Sequence, residues 1–119
     1  MRHRVAGTKF SVSYDHRRML LRNLLTSLVE SGYVTTTSSK AKALKGLFDK
    51  FITRVKKGGL ASHRYARQTL LTRDAYEKLY RDVLPSLGPR NSGYTRLERY
   101  DKVRVGDGVS QVTIEIIRG

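Results

Sequence analysis

The sequence predicts an α+β fold: a single domain over residues 1–119, about four helices packed with a small three-stranded sheet, preceded by a basic N-terminal arm over residues 1–13. Three observations predict it. Apolar residues recur at helical spacing in several blocks between residues 14 and 87, the short run Tyr33-Val34-Thr35-Thr36-Thr37 is β-branched, and Val112, Ile114 and Ile116 alternate with Gln111, Thr113 and Glu115 near the end. A chain of 119 residues is long enough to bury about two thirds of its unfolded surface, and its 39% apolar share supports a real but modest core.

The arm comes first. Residues 1–13 hold Arg2, Arg4 and Lys9 beside His3, with Val5, Phe10 and Val12 too sparse to bury the segment alone. Two readings stand: a frayed terminus, or an arm that orders on binding.

Ser13 is placed to cap a first helix, with Asp15 in its first turn, where the helix dipole favours an anion. Leu21, Leu24, Leu25 and Leu28 form its apolar stripe, and Gly32 closes it. Residues 33–37 form one strand. Ser38 or Ser39 caps a second helix that ends at Gly58-Gly59, with Ala41, Leu44, Phe48, Phe51 or Ile52, and Val55 inward. Lys42 and Lys45 are expected to extend a basic face begun by Arg22, and Gly46 inside the helix marks either close packing or a tolerated cost.

A short third helix is expected over residues 60–69. The stretch from Arg54 to Arg73 carries six basic residues and no acid, which suits either a solvated face or a second polyanion contact. Thr72 caps a fourth helix with Tyr76, Leu79, Tyr80, Val83 and Leu84 inward, ended by Pro85 and Gly88-Pro89. Its acids balance its bases, which assigns it to packing. Residues 94–104 and 109–118 then form a hairpin around Gly106-Asp107-Gly108, pairing with residues 33–37 because two strands alone are marginal.

Charge is the extreme property: 24 Lys and Arg against 10 Asp and Glu, net +14. Self-repulsion of that size points to an anionic partner, nucleic acid first and an anionic membrane surface second. No helix pattern offers an exposed apolar face for a membrane, and the apolar runs are too short to span one. A soluble intracellular protein is expected. Cysteine is absent, which excludes disulfides and thiolate metal sites.

Catalysis finds little support. His3, His16 and His63 are scattered, and no paired carboxylates, Walker-type loop or dinucleotide fingerprint occurs. No cofactor, metal or small-molecule substrate is expected. Arg and Lys suit phosphate contact, and arginine planes also stack on bases. Tyr94, after Ser92-Gly93 and before Thr95-Arg96, belongs either to a phosphate-binding cluster or to a glycine turn entering an ordinary strand.

The chain also resembles the bacterial ribosomal protein L-seventeen family. The resemblance runs through Met1-Arg2-His3-Arg4, His16-Arg17, Arg22-Asn23, Ser27-Leu28, Thr35-Thr36-Thr37, Lys40-Ala41-Lys42 and Leu44. It continues in Gly88-Pro89-Arg90, Gly93-Tyr94-Thr95-Arg96 and the strand from Val112 to Ile117. It implies a structural component of the large ribosomal subunit, near the nascent-chain exit, binding large-subunit ribosomal RNA and neighbouring the protein L-thirty-two. The implied location is the cytoplasm, within the ribosome, and an organellar matrix is compatible. The RNA-binding set is then Arg2, His3, Arg4, Lys9, His16, Arg17, Arg18, Arg22, Asn23, Lys40, Lys42, Lys45, Arg90, Gly93, Tyr94, Thr95 and Arg96. One departure stands out: the family's denser basic run after its glycine is here Thr8-Lys9-Phe10-Ser11-Val12-Ser13, which retains only Lys9. A DNA-binding or nucleoid-associated protein is the alternative, weakened by the strand expected between the first two helices.

Overall fold

The Ser13 hydroxyl accepts the His16 N–H at 3.3 Å and so starts α1 (Tyr14–Ser31) where the capping pattern requires. The computed structural model describes residues 13–103 and 110–117, and the arm lies outside them. At the far end Gly32 adopts φ 86° and returns its N–H to the Leu28 carbonyl at 2.8 Å, a left-handed closure that suits glycine. The buried stripe is rotated from expectation. Leu25, Thr26, Leu28 and Val29 are buried, while Leu21 and Leu24 are only half-buried.

The strand β1 (Tyr33–Thr37) follows, and α2 (Ser38–Lys56) begins without a loop. Thr37, still extended, is its N-cap in place of Ser38 or Ser39, and its side chain makes no capping bond. Ala41, Leu44, Phe48, Phe51, Ile52 and Val55 are all buried, so the helical period here reads true. A Cβ on Gly46 would meet nothing within 4 Å, which removes the close-packing reading. Gly58 and Gly59 take φ 76° and 86° to reverse the chain into α3 (Gly59–Thr69), a turn that any L side chain would strain.

Thr72 caps α4 (Arg73–Lys78) by accepting the Ala75 N–H at 3.1 Å. The helix then passes through a π-helical turn (Leu79–Val83) into α5 (Leu84–Leu87). Pro85 therefore does not end it, contrary to the sequence expectation. Leu84 bonds five residues back to the Leu79 carbonyl, and this change of register puts Pro85 in the first turn of α5, where a missing N–H costs least.

The strands β2 (Thr95–Val103) and β3 (Ser110–Ile116) complete a three-stranded antiparallel sheet in the order β1-β3-β2. Tyr33 pairs with Glu115 on one side of β3 and Leu97 with Ile114 on the other, with a register shift between Arg99 and Val103. Tyr94 precedes β2 and is not part of it. The expected turn Gly106-Asp107-Gly108 lies outside the described residues. Ile114 and Ile116 bring the sheet into one apolar cluster with Leu25, Leu28, Phe48, Ile52 and Leu79, which joins all the helices to the sheet. Each fully buried side chain of this size contributes about 1.5–3 kcal/mol.

Candidate nucleic-acid interface

The cations of the described residues sort into two populations, and hydrogen bonds decide which is which. Arg22 donates through Nε to the Thr69 carbonyl at 3.2 Å and through Nη2 to the Gln68 carbonyl at 2.6 Å, closing the C-terminal end of α3. Lys78 donates to the Glu30 carbonyl at 2.9 Å at the end of α1. Lys56 donates to the Gly88 carbonyl at 3.0 Å and to the Arg90 carbonyl, just past the end of α5. Helix ends leave carbonyls unpaired and carry partial negative charge, so a cation there is structural chemistry. Lys45 is engaged likewise, donating to the Thr95 carbonyl at 2.6 Å and fastening α2 to β2. The basic face expected from Arg22 through Lys42 to Lys45 therefore does not exist as drawn. Two of its three charges are tied inside the fold.

The second population points outward. Tyr14 is 62% exposed, and the guanidinium carbons of Arg17 and Arg18 stand 5.2 and 5.6 Å from its ring centroid. The spacing i, i+3, i+4 puts these three side chains on one side of the first helical turns. His16 and Asn23 are exposed along the same helix. Lys42 is exposed and Lys40 half-buried on α2. Tyr14 was not among the residues singled out from sequence, although its spacing to the two arginines was visible there.

The C-terminal candidates divide. Arg90 is exposed, with Nη1 3.5 Å from the Gly93 carbonyl, and Gly93 holds φ 63°. Arg96 is exposed but paired with Glu98 at 3.1 Å and Glu115 at 3.4 Å. The expectation for Tyr94 and Thr95 as contact side chains is corrected: they are 1% and 2% exposed. The Tyr94 ring sits in the core with the Lys56 ammonium 5.0 Å from its centroid. The glycine turn leading into a strand is what this segment forms. Arg2, His3, Arg4 and Lys9 lie outside the described residues.

His63 serves the fold. The His63 Nδ1 and the Tyr76 hydroxyl are hydrogen-bonded at 2.8 Å, and its ring stacks on Tyr80 at 4.3 Å. Burial, with Tyr76 adding to it, pushes the Tyr80 phenol up from its ordinary range. Among the described residues no group of three His, Cys, Asp or Glu could hold a metal ion, and no helix is long and apolar enough to cross a membrane.

The family model described as Ribosomal protein L17 matches residues 20–117. The chain belongs to the ribosomal protein L17 family. It is 43% identical over 117 residues to a Koribacter versatilis protein named large ribosomal subunit protein bL17, covering 98% of this chain and 72% of the relative. Proteins of the same name are 43% identical over 102 residues in Moorella thermoacetica, covering 86% and 90%, and 37% identical over 117 residues in Desulforapulum autotrophicum, covering 98% and 97%. Membership of this family makes the chain a ribosomal structural protein, and not an enzyme.

Proposed function

We propose that this protein is a structural constituent of the large ribosomal subunit that binds large-subunit ribosomal RNA through its basic arm and the exposed first turns of α1. The names of its relatives support the large-subunit assignment. The observation that carries the RNA contact is the cluster of exposed Tyr14 and Arg18 with half-buried Arg17 at the start of α1. Two guanidinium planes and an open ring offer both phosphate hydrogen bonds and base stacking, the two contacts that folded RNA rewards. Arg2, His3 and Arg4 precede this cluster in the sequence and add to the positive charge of the N-terminal stretch. Following the resemblance, the position is near the nascent-chain exit beside the protein L-thirty-two, in the cytoplasm.

The test replaces Arg2, Arg4, Arg17 and Arg18 together with Gln and follows incorporation into large subunits through a high-salt wash. The variant folds and fails to incorporate. With about six phosphates neutralised, wild-type binding to the RNA weakens with a log–log salt slope of about −4 to −5. Normal incorporation of the variant, or a flat salt dependence, overturns the reading, and co-migration with the nucleoid in place of ribosomes selects the DNA-binding alternative.

A further inference from the structure

We infer that the outer face of α2 is a second track for RNA phosphates, separate from the arm, built from Lys42, Lys50, Arg54 and Lys57 around Gly46. The inference rests on the reading of the chain as a ribosomal RNA-binding protein and extends it from Lys42 to Lys50, Arg54 and Lys57, which that reading does not use.

These positions fall on one line. Residues 42, 46, 50 and 54 are four apart, with Lys57 one turn further, all opposite the buried stripe of Ala41, Leu44, Phe48 and Ile52. All five are exposed. The line is about 22 Å long at the rise of an α-helix. None of the four cations forms a salt bridge or donates a side-chain hydrogen bond among the described residues. Arg54 lays its guanidinium 4.0 Å from the Tyr65 ring centroid, which holds the plane in place.

Electrostatics accounts for only half of these charges: the dipole of α2 favours Arg54 and Lys57 at its C-terminal end, but nothing in the helix answers Lys42 and Lys50. No acid stands three or four residues from any of the four, and Lys50 and Arg54 are like charges one turn apart, which is unfavourable. The first turn of α2 carries no acid, although its dipole favours one there. Asp49 borders the line, half-buried, with one carboxylate oxygen buried and without a partner among the described residues. An anion laid along the face relieves the repulsion among the cations. Gly46 then acquires a reason: a Cβ there meets open space within the fold, so the absence of a side chain serves something outside it. A bare backbone midway between Lys42 and Lys50 lets a sugar–phosphate strand approach the helix closely.

The test measures binding of the full chain to deproteinised large-subunit ribosomal RNA over a salt series, with thermal unfolding recorded for each variant. Combining Lys42→Gln, Lys50→Gln and Lys57→Gln lowers the log–log salt slope by about 2 to 3 and leaves unfolding in place. If that slope is unchanged while Arg2→Gln with Arg4→Gln lowers it, the track is wrong and the arm stands. If neither set moves it, both fall. The chain lacks cysteine, so Thr53→Cys gives a single exposed attachment point beside the line for a tethered iron–EDTA group in reconstituted subunits. Hydroxyl-radical cuts in the ribosomal RNA support the track. Cuts confined to a neighbouring protein, or none, overturn it.

Discussion

The helix α2 and the helical rod of residues 73–87 both lay an apolar stripe on the core, yet the outer face of one is cationic and that of the other is balanced. On the rod, Arg73 is bridged to Glu77 at 3.1 Å, Arg81 to Asp82 at 3.3 Å, and Lys78 reaches the end of α1. Its charges are answered locally. On the outer face of α2 four cations have no such answer among the described residues. The difference teaches that net charge says little about where a polyanion sits. What matters is which cations the fold leaves without a partner, and the net charge does not identify them, because Arg22, Lys45, Lys56 and Lys78 are all engaged by carbonyls.

The comparison breaks first at the inner face of α2. Phe48 is fully buried, and Phe48→Ala lowers unfolding free energy by about 3–5 kcal/mol, measured by denaturant titration. A much smaller loss shows that α2 is held by something other than its apolar stripe. The rod is next. Lys78→Met keeps the apolar stem and removes the ammonium from the Glu30 carbonyl, which costs about 1–2 kcal/mol and leaves RNA affinity within a factor of two. A large loss of RNA affinity with intact stability would instead move Lys78 into the outward population. The smallest effect is the sharpest. Gly46→Ala raises stability by about 1 kcal/mol, since a mid-helix alanine is favoured and its Cβ meets open space, while binding to large-subunit RNA weakens. Tighter or equal binding removes the close-approach role.

Local pattern and long-range engagement were not equally legible in the sequence. The inner face of α2 could be read residue by residue, because a 3.6-residue period is set by the helix itself. The strand at Tyr33–Thr37 was legible from its β-branched run, and the pairing of the C-terminal hairpin with it from the marginal stability of two strands alone. Tyr94 was not. Its neighbours Ser92 and Gly93 suggest an open loop, but the ring is placed by core contacts with distant elements. Arg22 and Lys45 look like surface cations until the carbonyls that hold them, 47 and 50 residues away, are folded into place. The turn at Leu79–Val83 hid in the same way: proline reads as a stop, and only a change of hydrogen-bond register lets the helix pass it.

The central position of β3 has a consequence for the order in which the protein is made. Both β1 and β2 pair only with it among the described strands, and Thr35 reaches Thr113 across 78 residues of sequence, hydroxyl to hydroxyl at 2.9 Å. The helices close over much shorter loops. During synthesis from the N-terminus they can assemble while two strands wait unpaired, with Ile114 and Ile116 still missing from the core. Residues 110–116 are the last of the described strands to be made and join β1, β2 and the helices in one step, so the keystone of the sheet is also its latest strand.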